Sequence, residues 1–173
     1  RNNSYYYKYW KVSNHMSTLS VDTIQGQTTA ATVKMPAGHI IQITKSVITG
    51  NVQATSSTYV NTGHSLVITP KFANSHILLQ NSAAGWQYNA GSPTTAGIRI
   101  KRGGSVILTN DGQGLSEDGT WNSMSWVFSF FDTTHGSTSA LTYTLEINGN
   151  RSRFNDQNGT ANTSTFIAME IAQ

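Results

Sequence analysis

Three short clusters hold the residues best suited to recognising a ligand. They are Trp86 and Tyr88 beside Asn89, Trp121 beside Asn122, and Arg151, Arg153, Asn155 and Asp156 near the later turns. A flat aromatic ring stacks on a pyranose, while amides, carboxylates and guanidinium groups bond its hydroxyls. A glycan-binding surface is therefore expected from Trp86, Tyr88, Trp121, Asn122, Arg151, Arg153 and Asp156. Burial in the core is the competing expectation for Trp86 and Trp121, and Phe154 is expected inside.

Other chemistry finds little support. His15, His39, His64, His76 and His135 are scattered, with no metal-ligand spacing, and read as structural or surface residues. Cysteine is absent, which removes disulfides, thiolate metal sites and cysteine nucleophiles together. Asp111, Glu117 and Asp118 lie in the Gly-rich stretch 110–119, which has enough oxygens to hold calcium weakly. Its spacing departs from the twelve-residue EF-hand loop, so a plain mobile loop is the simpler reading. Glu146 and Glu170 alternate with apolar neighbours and read as solvated strand positions. No Gly-x-Ser-x-Gly elbow and no phosphate-binding glycine loop is present. No enzymatic activity, cofactor or metal is expected.

The elements that must position these residues are strands. Leu141, Tyr143, Leu145 and Ile147 alternate with Thr142, Thr144, Glu146 and Asn148, giving one buried and one wet face. Ile98 and Ile100 alternate with Arg99 and Lys101, and Ile167, Met169 and Ile171 with Phe166, Ala168 and Glu170. Further runs span Ile40 to Ile48, Ser65 to Thr69 and His76 to Gln80, and Gly103-Gly104 reads as a hairpin turn because glycine takes positive φ readily. No window carries a helical stripe. Eight to ten strands are expected, and with turn clusters between them they indicate an all-β antiparallel sandwich or jelly roll over 38–173. The run Trp126, Val127, Phe128, Phe130 and Phe131 is apolar on both faces, so its second face needs a cover: a long loop over a central strand, or another subunit.

The chain of 173 residues carries Ser, Thr, Asn or Gln at 67 positions and has only 11% charged residues. Its net charge of +3 resides in Arg1, Lys8 and Lys11, leaving a neutral body without the basic excess that nucleic-acid binding needs. No apolar run is long enough for a membrane span. Segment 1–15 is aromatic and basic; Tyr5, Tyr6, Tyr7, Tyr9 and Trp10 suit docking on another surface. His15-Met16 could equally mark a cloning junction or an internal start. Segment 16–37 reads as an extended connector whose Leu19, Val21, Ile24, Val33 and Met35 are too few for a core.

Two stretches bear a resemblance. Met16-Ser-Thr-Leu-Ser-Val-Asp-Thr-Ile-Gln-Gly26 with Val33-Lys-Met-Pro-Ala-Gly-His-Ile-Ile-Gln42 resembles the opening of tail-fibre and other virion-surface proteins of tailed phages, especially marine and cyanobacterial ones. Ser65-Leu-Val-Ile-Thr-Pro70, Asn74-Ser-His-Ile-Leu-Leu79, Ile98-Arg-Ile-Lys-Arg102, Leu141-Thr-Tyr-Thr-Leu-Glu-Ile147 and Ser164-Thr-Phe-Ile-Ala-Met-Glu-Ile-Ala172 are similar to their C-terminal β-domain. The resemblance covers 16–173 and implies a virion structural protein on the particle exterior. It implies a homotrimer that attaches to other virion proteins through the N-terminal part, here 1–37, and turns its distal loops to host glycan or protein. It implies no catalytic residue. A capsid decoration protein or head fibre of the same fold is the nearest alternative, and a monomeric carbohydrate-binding module is the alternative from another class.

Overall fold

The computed structural model describes residues 36–88, 96–113, 121–157 and 160–173. The docking candidates Tyr5, Tyr6, Tyr7, Tyr9 and Trp10 lie outside them, as do Asn89, Glu117 and Asp118. The described residues form ten strands: β1 (Ile40–Ile48), β2 (Val52–Ile68), β3 (His76–Tyr88), β4 (Ala96–Arg102), β5 (Ser105–Gln113), β6 (Trp121–Asp132), β7 (Leu141–Phe154), β8 (Asp156–Gln157), β9 (Thr160–Ala161) and β10 (Ser164–Ile171).

Pairing is antiparallel throughout and divides eight strands into two layers, β1-β10-β3-β6 and β2-β7-β4-β5. The layers join where Gly85–Gln87 of β3 pairs with Ser152–Phe154 of β7, and β8 and β9 form a separate hairpin. Strands that follow one another in sequence mostly fall in opposite layers, which is the winding of a jelly roll. The expected fold class is therefore the one found.

Alternation explains the core. β7 turns Tyr143, Leu145 and Ile147 inward, β4 turns Ile98 and Ile100, β3 turns Ile77 and Leu79, and β10 turns Phe166 and Ala168, all fully or nearly fully buried. Trp126 and Phe154 complete this cluster, so Phe154 is inside as expected. His64 lies between the edges of Phe154 and Phe166, at 6.0 and 5.6 Å, and burial lowers its pKa. The Gly103-Gly104 turn joins β4 and β5 with φ of +56° and +90°.

Two expectations fail on the carboxylates. Glu170 points inward and is fully buried, accepting hydrogen bonds from the amides of Lys71 and Phe72, Ser75 Oγ and Gln42 Nε2 at 2.6–3.0 Å. Burial pushes its pKa up, but these donors more than offset that and hold it below the ordinary value. Glu146 does face outward, yet Arg99 at 2.5 Å and Lys101 at 3.0 Å close over it and leave it 8% exposed. Alternation assigns a face; it does not reveal which loop or cation covers that face.

Candidate functional site

The site lies at one end of the β1-β10-β3-β6 layer, where the two layers join. Gly85 makes the junction possible: a Cβ there would stand 2.3 Å from Trp126 Nε1 and 2.6 Å from the Arg153 carbonyl. Without that Cβ, Trp126 Nε1 donates to the Arg153 carbonyl at 2.8 Å and β7 reaches β3. The register places Trp86 opposite Ser123 on β6 and Arg153 on β7, and Tyr88 opposite Trp121. β7 enters this region through an irregularity. Gly149 has φ of +123°, Arg151 has φ of +55°, and the pairing with β2 shifts between Ala54 and Ser56. Such a bulge re-aims side chains, here Arg151 toward Tyr88.

The result is a compact aromatic and cationic cluster. Tyr88 and Trp121 have ring centroids 5.1 Å apart at 45°. The Arg151 guanidinium lies 5.0 Å from the Tyr88 centroid, and that of Arg153 lies 4.4 Å from the Trp121 centroid. Arg153 Nε donates to Gln53 Oε1 at 3.1 Å and its Nη1 stands 3.6 Å from Asp156, which also accepts from Asn51 Nδ2 at 2.8 Å. Asn51, Val52, Gln53, Arg153 and Asp156 line an open depression of about 230 Å³.

Tyr88, Trp121, Arg151, Arg153 and Asp156, expected from three separate stretches of sequence, thus meet at one place. Trp86 and Trp121 are not core residues; Trp86 is half-buried on the outward side and Trp121 is 38% exposed. Asn122 departs from the expectation, since one step along β6 turns it to the inner side with Gln87 as its partner position. Asn155 departs too: it is fully buried at φ +56°, and its Nδ2 donates to the carbonyls of Ile48, Gly50 and Asn162. It clamps loops together. Sequence reasoning missed Asn51 and Gln53, which sit in polar stretches with no signal to single them out.

A second feature is the outer surface of the same layer. One row of outward residues crosses all four strands as Ile43, Met169, Leu78 and Phe131. A second row is Lys45, Ile167, Gln80 and Ser129, and a third is Val47, Thr165, Ser82 and Val127. Ile40, Ile43, Val47, Val127 and Phe131 are each at least half exposed. Between the rows lies an open depression of about 540 Å³ lined in part by Gln80, Val127, Thr165 and Ile167. The apolar second side of β6 is therefore real. Among the described residues β6 is an edge strand paired with β3 alone, not a central strand, and none of them lies over this side as a covering loop.

Among the described residues no three His, Asp or Glu side chains gather as a metal site, and Asp111 accepts a hydrogen bond from the Tyr59 hydroxyl. No protein family matches the chain, and no curated protein does. Solved structures from infectious bursal disease virus are similar in part. The Gt strain structure shares 15% identity over 78% of this chain, with a TM-score of 0.41. The VP2 subviral particle shares 17% over 78% with a TM-score of 0.39, and T=1 particles derived from the virus share 14% over 78% with 0.41. This chain spans only 37–39% of the length of those chains.

Proposed function

We propose that the chain is a non-catalytic structural component of a phage particle exterior, a tail-fibre or spike element whose copies close into a trimer. The observation that carries this reading is the apolar outer surface of β1-β10-β3-β6. Among its outward strand positions only Lys45 bears a full charge. With strands about 4.8 Å apart and about 3.4 Å per residue, the face covers roughly 500 Å² in projection. A stable interface takes about 800 Å² of accessible surface from each partner, so this face would form the greater part of one. A second copy of this chain is the occupant the composition favours. A body with eight basic and eight acidic side chains does not repel its own kind, and an apolar face with Lys45 as its single charged strand position has little charge by which to select a different partner.

The sequence resemblance supports a threefold arrangement, a place on the virion and attachment to its other proteins through residues 1–37. It also supports the host surface as what the distal end meets, and the aromatic cluster lies at one end of the layer. A capsid decoration protein or head fibre would use the same face in the same way. Solution mass tests the reading: native mass spectrometry of the full chain at micromolar concentration gives three times 18.8 kDa. A strictly monomeric species overturns it.

A further inference from the structure

We infer that the aromatic and arginine cluster binds an acidic saccharide, a sugar chain whose rings carry carboxylates. A neutral-sugar platform presents bare ring faces. Here Arg151 and Arg153 each lie over one ring, so what the cluster offers outward is guanidinium as much as aromatic surface. A guanidinium stacked on a ring keeps its N–H donors in plane, where a carboxylate meets two of them at once.

The two arginines differ in what already holds them. Arg153 is engaged by Gln53 and Asp156. Arg151 is exposed, lies over the Tyr88 ring and, among the described residues, forms no ion pair. Among the described residues, the two guanidinium groups of the cluster meet the carboxylate of Asp156 through Arg153 alone. The left-handed backbone at Arg151, φ +55°, holds it there, a kind of strain that clusters at functional sites. In the adjoining depression, Asn51 Oδ1 and Gln53 Nε2 make no hydrogen bond among the described residues and can meet sugar hydroxyls. At about 230 Å³ the depression accommodates one residue of a longer glycan rather than enclosing a free small molecule. The inference does not rest on the assembly reading, because Met169 and Phe131 take no part in the cluster.

The test is calorimetric titration of the full chain with trigalacturonate, galactotriose and inorganic phosphate at low salt. Trigalacturonate is expected to bind at least about tenfold more tightly than galactotriose, and added salt weakens it. Arg151→Asn removes the guanidinium while keeping a residue that tolerates positive φ. It abolishes that preference and leaves the thermal unfolding midpoint in place. Equal binding of the two trisaccharides, no binding of trigalacturonate, or an undiminished preference in Arg151→Asn overturns the inference. Phosphate binding as tightly as trigalacturonate overturns it too, by reducing the cluster to an oxyanion site that does not read the sugar.

Discussion

The two outer faces of the sandwich are built on the same principle and finished differently. On β2-β7-β4-β5, Glu146 lies between Arg99 and Lys101, Arg99 stacks at 4.1 Å on Tyr59, and Tyr59 donates to Asp111. Every full charge named there is answered by a neighbour on the same face. On β1-β10-β3-β6 the corresponding positions are Ile43, Met169, Leu78 and Phe131, with nothing over them among the described residues. One face is complete in the isolated chain. The other leaves the burial of several large side chains still to be gained, at about 25 cal/mol per Å² of apolar surface. The contrast separates a face whose charges are already paired from the face that the proposed assembly would cover.

Reversing the character of each face gives the largest and most unequal effects. Met169→Glu places a charge in the middle of the apolar row and is expected to weaken association at least about a hundredfold, because an unpaired carboxylate would be buried in the interface. The protomer stays folded, since Met169 points away from the core. Glu146→Ala on the opposite face leaves association unchanged. It lowers folding stability by about 1 kcal/mol, a modest loss because Arg99 and Lys101 remain about one-quarter exposed. Sedimentation velocity and denaturant titration read the two outcomes. Equal association in both variants would erase the distinction between the faces.

Acid provides the next contrast. Burial disfavours the charged forms of Glu170, Asp132 and Glu146, but hydrogen bonds and cations prevail and hold all three pKa values below the ordinary range. For Asp132 the partners are the Tyr143 hydroxyl, Arg102 and the Thr134 amide. A carboxylate depressed on folding contributes stability above its unfolded pKa and loses it as pH falls through the folded value. His64, lowered by burial, acts in the same direction, because below about 6.5 the unfolded chain takes up the proton first. Unfolding free energy is therefore expected to decline in two stages, gently below pH 6.5 and more steeply below about 4.5, with His64→Gln removing the first stage. The outward strand positions of the apolar face include no carboxylate, so the steep stage belongs to protomer folding. Denaturant titrations at successive pH values check this.

Much of this was legible in the residues, because alternation is a local signal. Leu141 to Ile147 and Ile98 with Ile100 declare which side is buried within a few residues, whereas in β10 the more apolar set, Ile167, Met169 and Ile171, faces outward and Phe166 and Ala168 are the buried ones. The two-sided character of β6 declared the open face equally well. β2 was less legible. Its first half, Val52 to Tyr59, holds so many Ser and Thr residues that it reads as a turn cluster, and only its pairing with β7 extends it into one seventeen-residue strand. The ligand cluster was legible in composition but not in geometry. Trp121 and Arg153 are adjacent because β7 leaves one layer for the other beside Gly85, and no periodicity encodes that crossing. Glu170 was misread because its partners, Lys71 to Ser75, are nearly a hundred residues away.

The smallest expected effect isolates the distinction most cleanly. Val67 and Val127 are 51% and 55% exposed, both outward on strands, one on the charged face and one on the apolar face. Replacing either with Thr keeps shape and β-branching while adding one hydroxyl, so folding stability should move by no more than about 0.5 kcal/mol in both variants. For Val67→Thr nothing else changes, because a lone surface valine facing Thr142 is already solvated. Val127 lines the depression between the apolar rows, where a partner's side chains would seat. A hydroxyl buried there without an acceptor costs roughly 1–3 kcal/mol, which corresponds to an association about 5- to 150-fold weaker. Matched chemistry at matched exposure leaves only the face as the variable. Identical association constants for Val67→Thr and Val127→Thr would mean that no second copy covers β6, whatever the apolar rows suggest.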